Sequence, residues 1–367
     1  MDTVLVGAGG YGANFVDWIF ASKVDVRLAG VVDPYAKNSA RYDKFKHLPV
    51  YDTLPEFFAN HKAELTVISS PIHLHFEQCV TALENGSHVL CEKPLVPTIA
   101  ELDILDKKIK ESGKSLSVGF QWCFSPIMLD IKERILAGDL GKPKNLKCYV
   151  SWPRGWDYYS RNGWAGRIKT PSGQIINDSI ASNATSHYIQ NMLFLLGSSI
   201  EESAELLEAK YELWRANDIE SFDTIILSGK AGGGSLYFAA SHATNYLVNP
   251  VMHYEFEKAT IFVNVFNQDY DCVIHHEDGR IENLGDALAG GDSDKVALTA
   301  KCIRGRYPWV CTAKTVRPIT QLIDDIFNNM SVKTLPGVVK DEKANATYVP
   351  NLHLKLWQAF NCEEVNL

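Results

Sequence analysis

The sequence predicts an α/β fold in two parts: a parallel sheet covered by helices over residues 1–121, then an α+β domain over residues 122–367. Three observations carry this expectation. Short β-branched runs alternate with helix-periodic stretches through the first third of the chain, the pattern of a parallel sheet with helical crossovers. Beyond Gln121 the apolar alternations lengthen and helices thin out, as in an antiparallel or mixed sheet. The 367 residues also suffice for about two domains, each with its own core.

In chain order, strands are expected at residues 4–6, 28–32, 66–68, 88–90 and 116–118, with helices between them. A helix over residues 126–137 ends in the turn Gly138-Asp139-Leu140-Gly141, and longer strands follow at 146–152, 222–228, 234–241 and 252–265. Gly232-Gly233-Gly234 lies between two strand-like runs and reads as a hairpin turn. No low-complexity linker separates the halves.

Composition narrows the function classes. Hydrophobic residues are 46% and charged residues 22%, which excludes collagen-like and wholly disordered chains. Lys and Arg number 36 against 44 Asp and Glu, and no basic run concentrates positive charge, so a nucleic-acid partner is not expected. No apolar run approaches the ~18 residues of a membrane span, and the chain opens directly on a strand rather than a leader pattern. A cytoplasmic protein without a membrane partner is expected. The eight cysteines form no C-x-x-C pair and read as reduced, small hydrophobic residues. His275-His276 with Glu277 and Asp278 suggests a metal site, but adjacent strand residues face opposite ways, so no metal is expected.

The first strand leads into Gly7-Ala8-Gly9-Gly10-Tyr11-Gly12 and then the apolar-periodic Phe15-Val16-Trp18-Ile19, so G-x-G-x-x-G sits at a strand-to-helix junction. Gly7 permits a tight turn, Gly9 lets the backbone approach a pyrophosphate, and Gly12 allows close helix–strand packing. The helix N-terminus then faces the phosphate charge. Asp33 follows the second strand, where an acidic residue would bond the adenosine ribose and repel a 2′-phosphate, so NAD is expected over NADP. Lys37 and Arg41, close in sequence, temper that preference.

Further on stand Val67-Ile68-Ser69-Ser70-Pro71, then His75, Ala82-Leu83, Gly86, and His88-Val89-Leu90-Cys91-Glu92-Lys93-Pro94-Leu95. On these residues, continued through Gly119-Phe120-Gln121 and the Gly138 to Gly141 turn, the chain resembles the Gfo/Idh/MocA family of sugar and polyol oxidoreductases. The resemblance implies an N-terminal Rossmann domain with a doubly wound sheet. It also implies a second domain whose large, mainly antiparallel open sheet carries homodimer or homotetramer contacts. It adds Ser70, Pro71, His75, Glu92, Lys93 and Gln121 to the cofactor residues Gly7, Gly9, Gly10, Tyr11, Gly12 and Asp33. Lys93 would hold the reacting oxygen of substrate. Independently, Lys93 follows a strand at the carboxyl edge of an α/β sheet, where ligands bind, and Pro94 restricts its backbone.

The family also carries Asp-x-x-x-His before an apolar helix ending in Leu-Gly. Counting back from Gly197 matches that histidine to His187, the expected acid/base, and puts Asn183 where the family has Asp. Gln190 replaces a second family Asp. Asp178 stands one or two turns earlier, as a candidate to supply the missing carboxylate. Residues 151–167 hold three Trp, two Tyr and three Arg, too polar for a core strand and too aromatic for an idle loop. Arg154, Tyr158 and Trp164, with Lys93, Asn183 and His187, are therefore expected to contact substrate, since aromatic faces stack on sugars and Arg bonds hydroxyls or a carboxylate. Burial at a subunit interface is the competing role for this loop.

These residues imply an NAD-dependent oxidoreductase acting on a secondary hydroxyl or keto carbon of a sugar, polyol or glycoside. Two alternatives share the same groups. In one, tightly bound NAD is recycled during elimination, epimerisation or glycosidic cleavage; in the other, the chain is a non-catalytic NAD-binding regulator, consistent with the departures at Asn183 and Gln190.

Overall fold

The computed structural model describes residues 1–266 and 269–362. They form two compact units, which divide after Ser125. The first begins with β1 (Asp2–Val6), α1 (Gly12–Ala21), β2 (Arg27–Val32), α2 (Tyr42–Phe45), β3 (Val50–Tyr51), α3 (Leu54–Asn60), β4 (Leu65–Ile68), α4 (His75–Glu84), β5 (His88–Cys91), α5 (Ile99–Ser112) and β6 (Leu116–Val118). The six strands pair in the order β3-β2-β1-β4-β5-β6, all parallel. The order reverses between β1 and β4, so the ligand crevice of a doubly wound sheet lies outside the carboxyl ends of these strands.

Local sequence explains the helices. α1 buries Phe15, Val16 and Ile19, an i, i+1, i+4 stripe facing the sheet. α3 starts on a reciprocal cap in which the Thr53 hydroxyl accepts from the Glu56 N–H and the Glu56 carboxylate accepts from the Thr53 N–H. The Thr98 hydroxyl caps α5, which stops at Gly113 in the left-handed region (φ +63°).

The second unit contains α6 (Pro126–Ala137), β7 (Pro143–Ser151), α7 (Trp156–Ser160), α8 (Ser186–Leu195), β8 (Leu207–Arg215), β9 (Thr224–Ala231), β10 (Gly234–Ser241), β11 (Val248–Phe256), β12 (Ala259–Phe266), β13 (Asp269–His276) and β14 (Ile281–Asp286). With β15 (Val332–Thr334) the strands form a nine-stranded sheet, antiparallel except for the β7–β10 and β8–β15 pairs. The Gly232-Gly233 turn joins β9 to β10 as expected, with Ala231 opposite Gly234 and both turn glycines at positive φ. The single strand expected over 252–265 is instead two antiparallel strands, β11 and β12, which turn back at Glu257-Lys258. The buried apolar positions shift phase there, from Met252, Tyr254 and Phe256 to Ala259, Ile261 and Val263, and the Glu257-Lys258 doublet is the one local mark of the turn, with no Gly or Pro in it.

Between the units' main segments the chain returns: α9 (Lys295–Ile303) and the start of α10 (Ala313–Asn329) belong to the first unit through Thr320, along with residues 200–202. A division of the chain into 1–121 and 122–367 misses this return, because its contacts lie some 200 residues away in sequence, as in the Arg317 guanidinium bonding Asp103 and Asp106. The last described elements are the hairpin β16 (Val339–Asp341) and β17 (Ala346–Tyr348), then α11 (Leu352–Cys362). α11 lies on β7 and β10, burying Leu356, Ala359 and Phe360 against Tyr149, Tyr237 and Ala239.

Candidate functional site

In the first unit the turn after β1 is shaped by the protein itself at two glycines and left open at a third. A Cβ on Gly7 (φ +81°) would meet the Ser69 carbonyl oxygen at 2.7 Å, and one on Gly12 the Gly7 carbonyl oxygen at 2.1 Å. Around Gly9 no atom lies within 4 Å of such a Cβ, and the same holds for Gly10. α1 starts without a side-chain cap, which leaves its N-terminal dipole for an anion. Asp33, just past β2, accepts from the Ala8 N–H at 2.8 Å and the Tyr35 N–H at 2.7 Å, so its carboxylate is fixed at the strand end. The residues present fit a dinucleotide: bare backbone for a pyrophosphate and an anchored carboxylate for a ribose. Arg41 is drawn away to Asp17 at 2.7 Å.

Ser70 and Pro71 follow β4, Glu92 and Lys93 follow β5, and Gln121 follows β6, so all of them share the carboxyl edge with the glycine turn. The Lys93–Pro94 peptide is cis. His75, expected at the cofactor, is instead buried, its Nδ1 2.8 Å from the Pro94 carbonyl oxygen and its Nε2 2.9 Å from that of Ser70. Burial holds its pKa below the usual histidine range. As a neutral imidazole it donates to one of these two carbonyls and packs between the Ser70 and Pro94 turns.

Glu92 is likewise turned inward, where a side chain at Gly119 would strike it. Its Oε2 accepts from the Lys93 N–H at 3.2 Å and its Oε1 from the Nζ of Lys295 at 2.5 Å. Lys295, at the start of α9, has no exposed surface. It also donates to the Tyr11 hydroxyl at 2.8 Å, which in turn donates to Asp292 at 2.5 Å. Burial, with the Glu92 and Asp292 carboxylates nearby, drives the Tyr11 phenol far above its ordinary pKa, so it remains a donor. One lysine thus links the glycine turn to the residue preceding Lys93. Sequence reasoning missed it: a single lysine opening a short amphipathic helix carries no local signal.

In the second unit, Ser179 and Ser182 cap each other reciprocally at the start of a wide, π-type turn over Ile180–Ala184. This turn brings Asn183 back onto Asp178, whose Oδ1 accepts from the Asn183 Nδ2 at 2.8 Å. The other oxygen, Oδ2, accepts from the Gly166 N–H at 2.6 Å. A carboxylate therefore stands one hydrogen bond behind the position where the resembled family carries its aspartate. His187 follows in the first turn of α8, half-buried, while Gln190 is buried and donates to Ser203 at 3.0 Å.

The aromatic-rich segment gathers around Tyr158. The Arg154 guanidinium carbon lies 4.7 Å from the Tyr158 ring centre and that of Arg161 3.6 Å from it; the outer rings, Trp152 and Trp164, lie 5.7 and 5.3 Å from these arginines in turn. Trp152 meets the Tyr188 ring edge-on at 5.8 Å, beside His187. Behind them His242 is fully enclosed, its Nδ1 2.8 Å from the Trp152 carbonyl oxygen. Burial, followed by the Arg154 charge, pushes its pKa down to about 3.

A doubly wound sheet with an open-glycine turn and an anchored acidic residue defines an NAD-binding Rossmann domain, here joined to a second α/β unit. Residues 1–120 match the oxidoreductase family GFO_IDH_MocA, NAD-binding Rossmann fold. An uncharacterized oxidoreductase of Schizosaccharomyces pombe is 31% identical over 162 residues, 44% of this chain and 42% of the relative. The scyllo-inositol 2-dehydrogenase (NAD(+)) of Bacillus subtilis is 29% identical over 147 residues, 40% of this chain and 43% of the relative. The matches thus span less than half the length of these curated relatives. Among solved structures, the WlbA dehydrogenase of Chromobacterium violaceum with NADH and UDP-GlcNAcA superposes with a TM-score of 0.74 at 20% identity, covering 89% of this chain and 93% of that one, a likeness of fold. Among the described residues, no helix is long and apolar enough to cross a membrane.

Proposed function

We propose that the chain is an NAD-dependent oxidoreductase moving a hydride between nicotinamide and a secondary hydroxyl or keto carbon of a carbohydrate-like substrate. The observation that carries this reading is the placement of Lys93 on the same sheet edge as the open glycine turn and the anchored Asp33. The pairing of Arg41 with Asp17 favours NAD over NADP, because it removes a cation that a 2′-phosphate would need.

Nicotinamide, when bound, supplies the hydride acceptor or donor. Lys93 holds the substrate oxygen and stabilises negative charge developing on it. His187 takes the hydroxyl proton during oxidation and returns it during reduction. Asn183, fixed by Asp178, orients the substrate, and Asp178 acts as a positioning residue through that amide. Arg154, Tyr158 and Trp164 line the substrate side.

Purified protein with NAD and a panel of sugars, polyols, uronates and glycosides tests the reading by absorbance of NADH. NADH formation with one compound class, lost in Lys93→Ala while NAD still quenches protein fluorescence, is the expected result. Tightly held NAD with an altered sugar and no net NADH would move the assignment to recycled-cofactor chemistry; normal turnover by Lys93→Ala would sink the role given to this lysine. Assembly as a homodimer or homotetramer through the second sheet is part of the proposal. The face outside α11, where His253 and His275 pack on Phe262, is the surface for it, and sedimentation velocity gives the state directly.

A further inference from the structure

The second unit holds two arginines whose charge the protein does not answer. Neither Arg154 nor Arg161 forms an ion pair with a carboxylate among the described residues. Arg161 donates to the carbonyl of Tyr158, and the Nε of Arg154 is buried with no hydrogen-bond partner. Both guanidiniums nevertheless lie on one phenol ring, 4.7 and 3.6 Å from its centre, where two like charges repel in a partly desolvated setting. Stacking on aromatic faces offsets part of that cost.

No neighbouring polar group pairs with them directly. Asp178, the nearby acid, has both oxygens engaged, one by Gly166 and one by Asn183. His242, enclosed behind Tyr158 at 5.8 Å between ring centres, is held neutral. The cluster is also tied at both ends to the segment bearing the proposed acid/base, through Trp152 on Tyr188 and through Gly166 on Asp178. Two rigid forks flanked by indole faces suit a ligand with an anionic oxygen group and an apolar sugar face.

We propose that Arg154 and Arg161 form an anion-binding subsite, so that the substrate is an acidic sugar whose carboxylate or phosphate oxygens lie between the two guanidiniums. This inference rests on the oxidoreductase reading above, and the test separates the two. The full chain, saturated with NAD, is titrated by tryptophan fluorescence with matched pairs: D-glucuronate against D-glucuronamide, D-gluconate against D-sorbitol, and D-glucose 6-phosphate against D-glucose. The anionic member of at least one pair is expected to bind about tenfold or more tighter than its neutral partner, the scale of one charge-assisted hydrogen bond. The pair that discriminates identifies carboxylate or phosphate. In R154Q/R161Q the preference should vanish with NAD affinity unchanged. R161Q alone, at an exposed position, should lose about threefold or more of that preference. Equal binding within every pair, or a preference that survives in the double variant, overturns the subsite. NADH formed from neutral sugars with no anion preference keeps the oxidoreductase reading and removes this one; an anion preference lost in the variants, without NADH from any compound, does the reverse.

Discussion

Lys295 in the first unit and Arg154 in the second are both cations set among aromatic rings, yet their surroundings differ in kind. Lys295 lies 4.9–5.3 Å from the ring centres of Tyr11, Phe15 and Trp18, and its charge meets Glu92 at 2.5 Å and Asp292 at 3.5 Å. Arg154 lies 4.7 and 5.7 Å from Tyr158 and Trp152 and meets no carboxylate among the described residues. A buried cation with its anion in place fixes architecture, because removing either partner strands the other. A half-buried cation without one costs stability that the fold recovers only when a ligand brings the anion. The contrast separates what the chain does for itself from what it holds ready for another molecule.

The largest effect should come from breaking the paired cation. Lys295→Met leaves the Glu92 carboxylate buried without its partner, and unfolding in urea should show a loss of about 3–5 kcal/mol. The double variant Lys295→Met/Glu92→Gln removes both charges and should regain most of that loss. If the single variant is as stable as the parent, the buried pair does not hold the first unit together as described.

The next effect is set by pH and by the unpaired side of the comparison. Folded His242 takes a proton only near pH 3, whereas in the unfolded chain it does so near 6.5. Above pH 6.5 both states are neutral and its contribution is complete. As pH falls from 6.5 toward 3 only the unfolded state binds the proton, so stability drops by about 1.4 kcal/mol per pH unit. His242→Asn should flatten the stability profile between pH 6.5 and 4 by close to one proton's slope. Arg154→Gln should flatten it by less, since burial is the main cause and the guanidinium the second. Identical slopes in parent and His242→Asn would show that the imidazole does not sit neutral behind Tyr158.

The same division appears within the glycine turn. Gly12→Ala forces a methyl to 2.1 Å from the Gly7 carbonyl oxygen and should cost about 1–3 kcal/mol of folding stability. Gly9→Ala meets no protein atom within 4 Å, so stability should hold while NAD binding, followed by fluorescence quenching, weakens about tenfold or more. Loss of stability without loss of NAD binding at Gly9 would place the pyrophosphate elsewhere.

How much of this was legible in the sequence depended on how far apart the interacting residues lie. The parallel sheet, the glycine turn and Asp33 follow from period and local spacing, and so does the β9–β10 hairpin. Lys295 and Glu92 are separated by 203 residues, and no local pattern announces that a lysine will be carried back to the first unit. The Asp178–Asn183 bond was within reach as a guess, but it depends on a π-type turn that returns Asn183 across five residues, and helix periodicity of 3.6 does not foresee that register. His75 shows the converse. Its motif position points toward the cofactor, while the structure buries it between the Ser70 and Pro94 carbonyls, to one of which its single N–H donates.

The smallest expected effect decides the comparison most sharply. Arg161 is exposed, donates only to a backbone carbonyl and has no carboxylate partner among the described residues. If its charge is kept for a ligand, Arg161→Gln should leave folding stability within about 0.5 kcal/mol of the parent. Its removal also takes away repulsion with Arg154, since the two share the Tyr158 ring. A loss of several kcal/mol in the urea midpoint would instead mean that Arg161 serves the fold as Lys295 does, and that the two cations differ in exposure but not in role.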